Sequence, residues 1–108
     1  VFTVILFLPL IGLSQSTNIS TAFYGNVRKA DHYFDRYAYR NALNLYLHSY
    51  DRDSSNIHVK DRIADCYFKL HKPDSAALWY AKIIIKQGIN PESKFEYAES
   101  LSMLGQYK

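Results

Sequence analysis

Cysteine occurs once in the 108 residues, at Cys66, so no internal disulfide can staple the chain. Only four glycines are present, and they do not gather into a loop that could cradle a phosphate. His32, His48, His58 and His71 are spread along the sequence. Neither His-x-x-x-His nor Cys-x-x-Cys occurs, and those are the spacings that bring metal ligands together. Charge of one sign never accumulates: 13 Lys and Arg interleave with 10 Asp and Glu, for a net charge of +3. That pattern lacks the basic stripe of a nucleic-acid binder. Carboxylates are plentiful, yet none is paired in an apolar setting that would raise its pKa, so no acid–base pair is expected. Cys66, next to Tyr67 on a helical pattern, reads as an inert thiol. The expectation is a non-enzyme with no catalytic residue, no metal and no cofactor.

What is present is apolar and aromatic. A hydrophobic fraction of 48% belongs to a globular chain rather than a disordered tail, and the length suffices for one small domain. Ten Tyr and six Phe are many for this length. The stretch that orders them is 57–90, IHVKDRIADCYFKLHKPDSAALWYAKIIIKQGIN. Before the break His71-Lys72-Pro73, Ile63, Ala64, Tyr67 and Leu70 recur at helical steps. After it, Ala76, Ala77, Tyr80, Ile83 and Ile84 do the same. Such steps place side chains on one face of a helix, so the spacing predicts a helical hairpin.

Shifted by 34 residues, the hairpin matches the chain again without a gap. Ala64 falls on Ala30 and Ala98, Tyr67 on Tyr33 and Leu101, and Leu70 on Leu104. Ala76 falls on Ala42, and Tyr80 on Tyr46. A fixed period of this kind marks a stacked repeat.

These columns resemble the tetratricopeptide repeat (TPR). Ala30 with Ala42, and Ala64 with Ala76, match that family's paired small residues, and Tyr33, Tyr46, Tyr67 and Tyr80 match its aromatic filling. Leu104-Gly105-Gln106-Tyr107 matches its LGxY turn. The family's early Trp is missing, with Asn26, Lys60 and Lys94 in that column. The resemblance runs from Phe23 to Lys108. It implies an all-α, right-handed solenoid of antiparallel helical hairpins, about five helices in two and a half repeats: 23–56, 57–90 and a partial 91–108. The first helix is expected from about Ser20 to Arg36, with Phe23, Val27, Ala30, Tyr33 and Phe34 inward. The second is expected from about Tyr39 to Tyr50. Asn56 or Ser55 is expected to cap the third. His71, in the column of Gly105, is assigned to the hairpin turn. Pro73 fits the first position of the fourth helix, Gly88 its C-terminal cap, and Asn90-Pro91-Glu92 the start of a fifth that ends near Leu104. Phe95, Ala98, Leu101 and Leu104 would then form an uncovered apolar face, the expectation for a fragment of a longer protein.

Val1–Leu13, VFTVILFLPLIGL, is uncharged and shorter than the roughly 20 residues that span a bilayer. It has the length of the hydrophobic region of a secretory signal. Gly12 and Ser14 stand at −3 and −1 of a cut before Gln15, and a cut after Ser16 is the alternative. So 1–14 is assigned as a signal peptide with an incomplete n-region, and 15–22 as a polar linker. The competing reading is a buried helix. No Cys near the cut supports a lipid anchor, and the sequon Asn18-Ile19-Ser20 is taken as chance.

The candidate site is a set of columns. Asp31, Asp65 and Glu99 recur at intervals of 34 residues, and so do Phe34 and Phe68. In the TPR family the first helix of each hairpin lines a concave groove, so the resemblance implies that these five residues face a protein or peptide partner. An acidic row beside aromatics would favour a basic or aromatic-bearing segment. The alternative is that the acids are solvated and bonded to neighbours such as Arg28 and Arg62. Two functions follow. One is an exported, non-catalytic interaction scaffold of the periplasm or outer membrane. The other is an N-terminal accessory domain of a larger OmpA-like, peptidoglycan-associated envelope protein. The latter rests on the resemblance of Ala30-Asp31-His32-Tyr33-Phe34 and of Tyr39-Arg40-Asn41-Ala42-Leu43-Asn44-Leu45-Tyr46 to such N-terminal regions.

Overall fold

The computed structural model describes residues 23–84 and 91–106. The signal assigned to 1–14, the linker 15–22, the caps assigned to Gly88 and Asn90, and Tyr107 all lie outside them. Regular structure among the described residues is helical throughout: α1 over 23–35, α2 (Tyr39–Arg52), α3 (Ile57–Lys69), α4 (Pro73–Ile84) and α5 (Pro91–Gln106).

Local chemistry explains the helix starts. Asn56 Oδ1 accepts from the Val59 N–H at 3.1 Å and caps α3. Ser55, the other candidate, is engaged elsewhere. Its N–H and hydroxyl both donate to Asp53 Oδ1, at 3.0 and 2.5 Å, and these bonds lower the Asp53 pKa. Pro73 and Pro91 open α4 and α5, where no amide donor is required, and Asp74 and Glu92 follow at the positive helix ends.

The hairpin turns repeat as closely as the helices. The Tyr37 N–H bonds to Phe34 O at 3.0 Å and the Ala38 N–H to Tyr33 O at 2.9 Å. One repeat later, His71 bonds to Phe68 O at 3.0 Å and Lys72 to Tyr67 O at 2.9 Å. This pair of bonds is the Schellman motif, whose pivot adopts a left-handed backbone. Tyr37 (φ 64°) and His71 (φ 59°) are those pivots. His71 and Tyr37 both fall in the column of Gly105.

Each turn folds the second helix of its hairpin back on the first. Ala30 and Ala42 are wholly buried together, and so are Ala64 and Ala76. Tyr46 and Tyr80, each four residues past the second alanine, are also wholly buried. The first cluster joins α1, α2 and α3 through Phe23, Leu43, Tyr46, Val59, Ile63 and Cys66. Full burial of residues such as Val59 and Ile63 contributes about 1.5–3 kcal/mol each.

Helix α5 departs from expectation at its end. It continues past Leu104 to Gln106, so Gly105 lies in a helix rather than an LGxY turn. Once a helix has nucleated, each added residue closes a further backbone bond, and this offsets the modest cost of one glycine. Phe95, Ala98 and Leu101 are exposed as expected, Phe95 and Leu101 at 65% and 49%, and Leu104 is half-buried, while the face turned inward is polar, with Ser93, Glu96 and Ser100 buried.

Candidate functional site

Helices α1, α3 and α5 carry the five residues singled out from the sequence. The three acids do not occupy equivalent surroundings. Asp31 is partly exposed. Its Oδ1 accepts from the Tyr46 hydroxyl of its own hairpin and from His58 Nε2 of α3, the latter at 2.8 Å. Asp65 is buried, and its Oδ1 accepts from the Tyr80 hydroxyl at 2.5 Å. Glu99 is half-buried, and no described residue gives it a hydrogen bond. Two members of the acidic column are therefore tied to the tyrosine of the second helix in their own hairpin. Of the two arginines weighed as neighbours, Arg62 does approach Asp65, Nη1 to Oδ2 at 3.8 Å.

The expectation that no carboxylates pair in an apolar setting is overturned at Asp65. The Tyr80 hydroxyl lies 2.5 Å from Asp65 Oδ1 and 2.6 Å from Glu96 Oε2. It has one proton to donate, so the second contact calls for a proton on a carboxyl. Burial, above all, then the hydrogen bond with Glu96 and the charges of Asp61 and Glu96, push the Asp65 pKa up to about 8, against the bond from Tyr80. Burial and the adjoining acid also raise Tyr80 and Tyr46 far above the ordinary phenol range. Lys69 Nζ, 3.4 Å from Glu96 Oε1, supplies counter-charge at the rim. The sequence signal for the Asp–Tyr bond was present: both columns recur with the same offset of 15 residues. Glu96 gave no such signal, because Arg62 holds its column one repeat earlier.

Phe34 and Phe68 are half-buried and each lies beneath a cation. The Arg62 guanidinium sits 4.1 Å from the centre of the Phe34 ring, and Lys69 Nζ 5.9 Å from that of Phe68. Phe34 also meets Tyr39 edge-on at 5.2 Å. A ring held at the surface under a long, flexible cation is an amphipathic contact that another side chain can exchange with.

The remaining reactive group is Cys66, fully buried, its thiol pushed up to about 12 by burial and then by the Asp65 charge. A thiol so held is a poor nucleophile. Among the described residues no group of three His, Cys, Asp or Glu is placed to hold a metal ion, and no helix is long and apolar enough to cross a membrane. Compared with protein-family models, with curated proteins and with solved structures, the chain matches none.

Proposed function

We propose that the chain is a non-catalytic, exported scaffold that binds a protein or peptide through the face shared by α1, α3 and α5. The reading takes the hairpins as a TPR-type solenoid. It is supported by the 34-residue recurrence of three independent features: the buried alanine pairs, the left-handed turn residues and the Asp–Tyr bonds. The observation that carries the binding reading is the pair of half-buried rings, Phe34 and Phe68, each under a displaceable cation. Aromatic anchors of this kind supply binding energy, and rim charges such as Glu99 set association rate and salt dependence. The partner is a segment with basic or aromatic side chains. Export is supported by the uncharged run Val1–Leu13 and the small residues Gly12 and Ser14. The second reading, an accessory domain of an OmpA-like envelope protein, is favoured by the pattern of Ala30–Phe34 and Tyr39–Tyr46, and gives the same face a neighbour within an envelope complex.

The test uses the chain and its Phe34→Ala/Phe68→Ala variant as baits in a Gram-negative envelope extract, with helix content compared by circular dichroism. Proteins held by the wild type and released quickly by an equally helical variant support the reading. Capture of the same proteins at the same rates by both would remove this face from consideration.

A further inference from the structure

Helix α5 is fastened to the second hairpin mainly by polar groups. The bonds that cross to it include Ser93 to Asp61 Oδ1 at 2.8 Å, Tyr80 to Glu96 Oε2 at 2.6 Å and the ion pair of Lys69 with Glu96. Its third inward residue, Ser100, bonds to the carbonyl of Glu96 in its own helix. The ring of Tyr97 packs on that of Tyr80, with centres 5.9 Å apart. We propose that Asp65 of α3, Tyr80 of α4 and Glu96 of α5 form a proton-operated latch, closed in neutral and acid solution, that releases α5 from the second hairpin in alkali.

The geometry sets the device. Tyr80 has no exposure, and Asp65 and Glu96 have 8% and 5%. A single hydroxyl hydrogen cannot serve two carboxylates, so the three groups bond in full only while one carboxyl keeps its proton. Loss of that proton leaves two negative charges across one hydroxyl, in a space with little water to screen them. The surroundings do not offset this. On α3, Asp61 adds a further negative charge, and the Cys66 thiol, pushed up to about 12, stays neutral. Arg62, 3.8 Å from Asp65, and Lys69, 3.4 Å from Glu96, are partly exposed and shared with solvent. From α4 the group facing the acids is the Tyr80 hydroxyl, and from α5 it is Glu96, with only the ring of Tyr97 beside Tyr80. Withdrawal of α5 returns Glu96 to water and separates the charges. Burial holds the proton on Asp65 up to about pH 8, so the latch is shut at neutrality.

Trp79 is the sole tryptophan, and it lies on α4, so it can report on both neighbouring helices by energy transfer. An acceptor dye is attached to the full chain at Ser102→Cys on α5 or, as a control, at Asn41→Cys on α2. Both positions are exposed, whereas Cys66 is buried and resists labelling. Between about pH 6 and about pH 9, transfer to position 102 should fall while transfer to position 41 holds. The ratio of released to docked α5 should rise by up to about tenfold per pH unit, the signature of one proton, and level off above about 8. Asp65→Asn and Glu96→Gln each leave one carboxylate and supply an amide donor, so either variant should keep α5 docked throughout. Constant transfer to position 102 in the wild type would overturn the proposal. So would an equal fall at position 41, which would mean that the whole chain loosens, or a fall that persists in both variants.

Discussion

The two places where a new helix meets the preceding hairpin share one backbone plan and differ in what fills it. Where α3 meets the first hairpin, Val59 and Cys66 enter an apolar cluster, and Arg62 lies over Phe34. Where α5 meets the second hairpin, the same columns hold Ser93, Ser100 and Glu96. The serines are satisfied: Ser93 donates to Asp61 Oδ1 and Ser100 to Glu96 O, both at 2.8 Å. Glu96 takes the place of a cation and faces Asp65 instead of neutralising it. Apolar burial carries the core of the first junction, with the exposed His58–Asp31 contact at its rim. The second is held by hydrogen bonds whose completeness depends on a proton. One packing geometry thus tolerates opposite chemistry, and condition dependence follows the chemistry.

The largest effect expected concerns what the two hairpins share. Ala30→Leu and Ala64→Leu should each destabilise the chain by about 1–3 kcal/mol through overpacking, while Ala98→Leu should leave stability unchanged. Thermal melts followed by circular dichroism decide this. Equal tolerance at all three positions would disprove the close helix crossing.

The tyrosines separate the junctions. Tyr80→Phe removes the hydroxyl that lies between two buried carboxyls and should cost about 1–3 kcal/mol, the range for buried polar groups left without a partner. Tyr46→Phe should cost less, about 1 kcal/mol, because Asp31 keeps His58 and some contact with water. Urea denaturation of both variants at pH 6 measures the difference. Equal losses would mean that Glu96 adds nothing to the second junction.

The proton gives a third test. In the folded chain Asp65 keeps its proton up to about pH 8, whereas in the unfolded chain it releases it near 3.8. Between those values the folded state binds more protons, so stability falls as pH rises, by at most about 1.4 kcal/mol per pH unit, and levels off above about 8. The charged groups facing Asp65 are Asp61 and Arg62 on its own helix and Glu96, backed by Lys69, toward α5. Asp65→Asn keeps an acceptor for Tyr80 and provides a donor for Glu96, so its melting temperature should be flat over this range. A slope unchanged by Asp65→Asn would place the titrating group elsewhere.

The smallest effect should be alike in both hairpins. Tyr37→Gly and His71→Gly relieve a left-handed backbone at a non-glycine residue and should stabilise by up to about 1 kcal/mol each, after the entropy of glycine is subtracted. A loss of stability at either position would mean that its side chain holds the turn by contacts stronger than that strain.

Much of the local structure was legible because it is periodic or chemical. The helical steps around Ile63 and Tyr80, the Asn56 cap and the prolines at 73 and 91 mark elements through interactions within a few residues. The end of α5 lies beyond the expected Leu104. A Leu-Gly pair resembles a turn, but Gly105 stays helical, and nothing lies within 4 Å of the place its Cβ would take. The acidic column was legible as a recurrence and misleading as a surface. Its members are one residue type at one spacing, and their exposure depends on what the next helix brings.

The sequence by itself determined the helices, their 34-residue register and the small residues at each crossing, because these follow from side-chain spacing along one strand of backbone. Only the tertiary structure decided which acid is buried, which shares a proton and which has no described donor. Asp31 meets His58 and lies near the solvent, Asp65 meets Glu96 away from it, and Glu99 is half-buried on α5. Charge state depends on distance and dielectric through space, and those are set only once separate helices have packed.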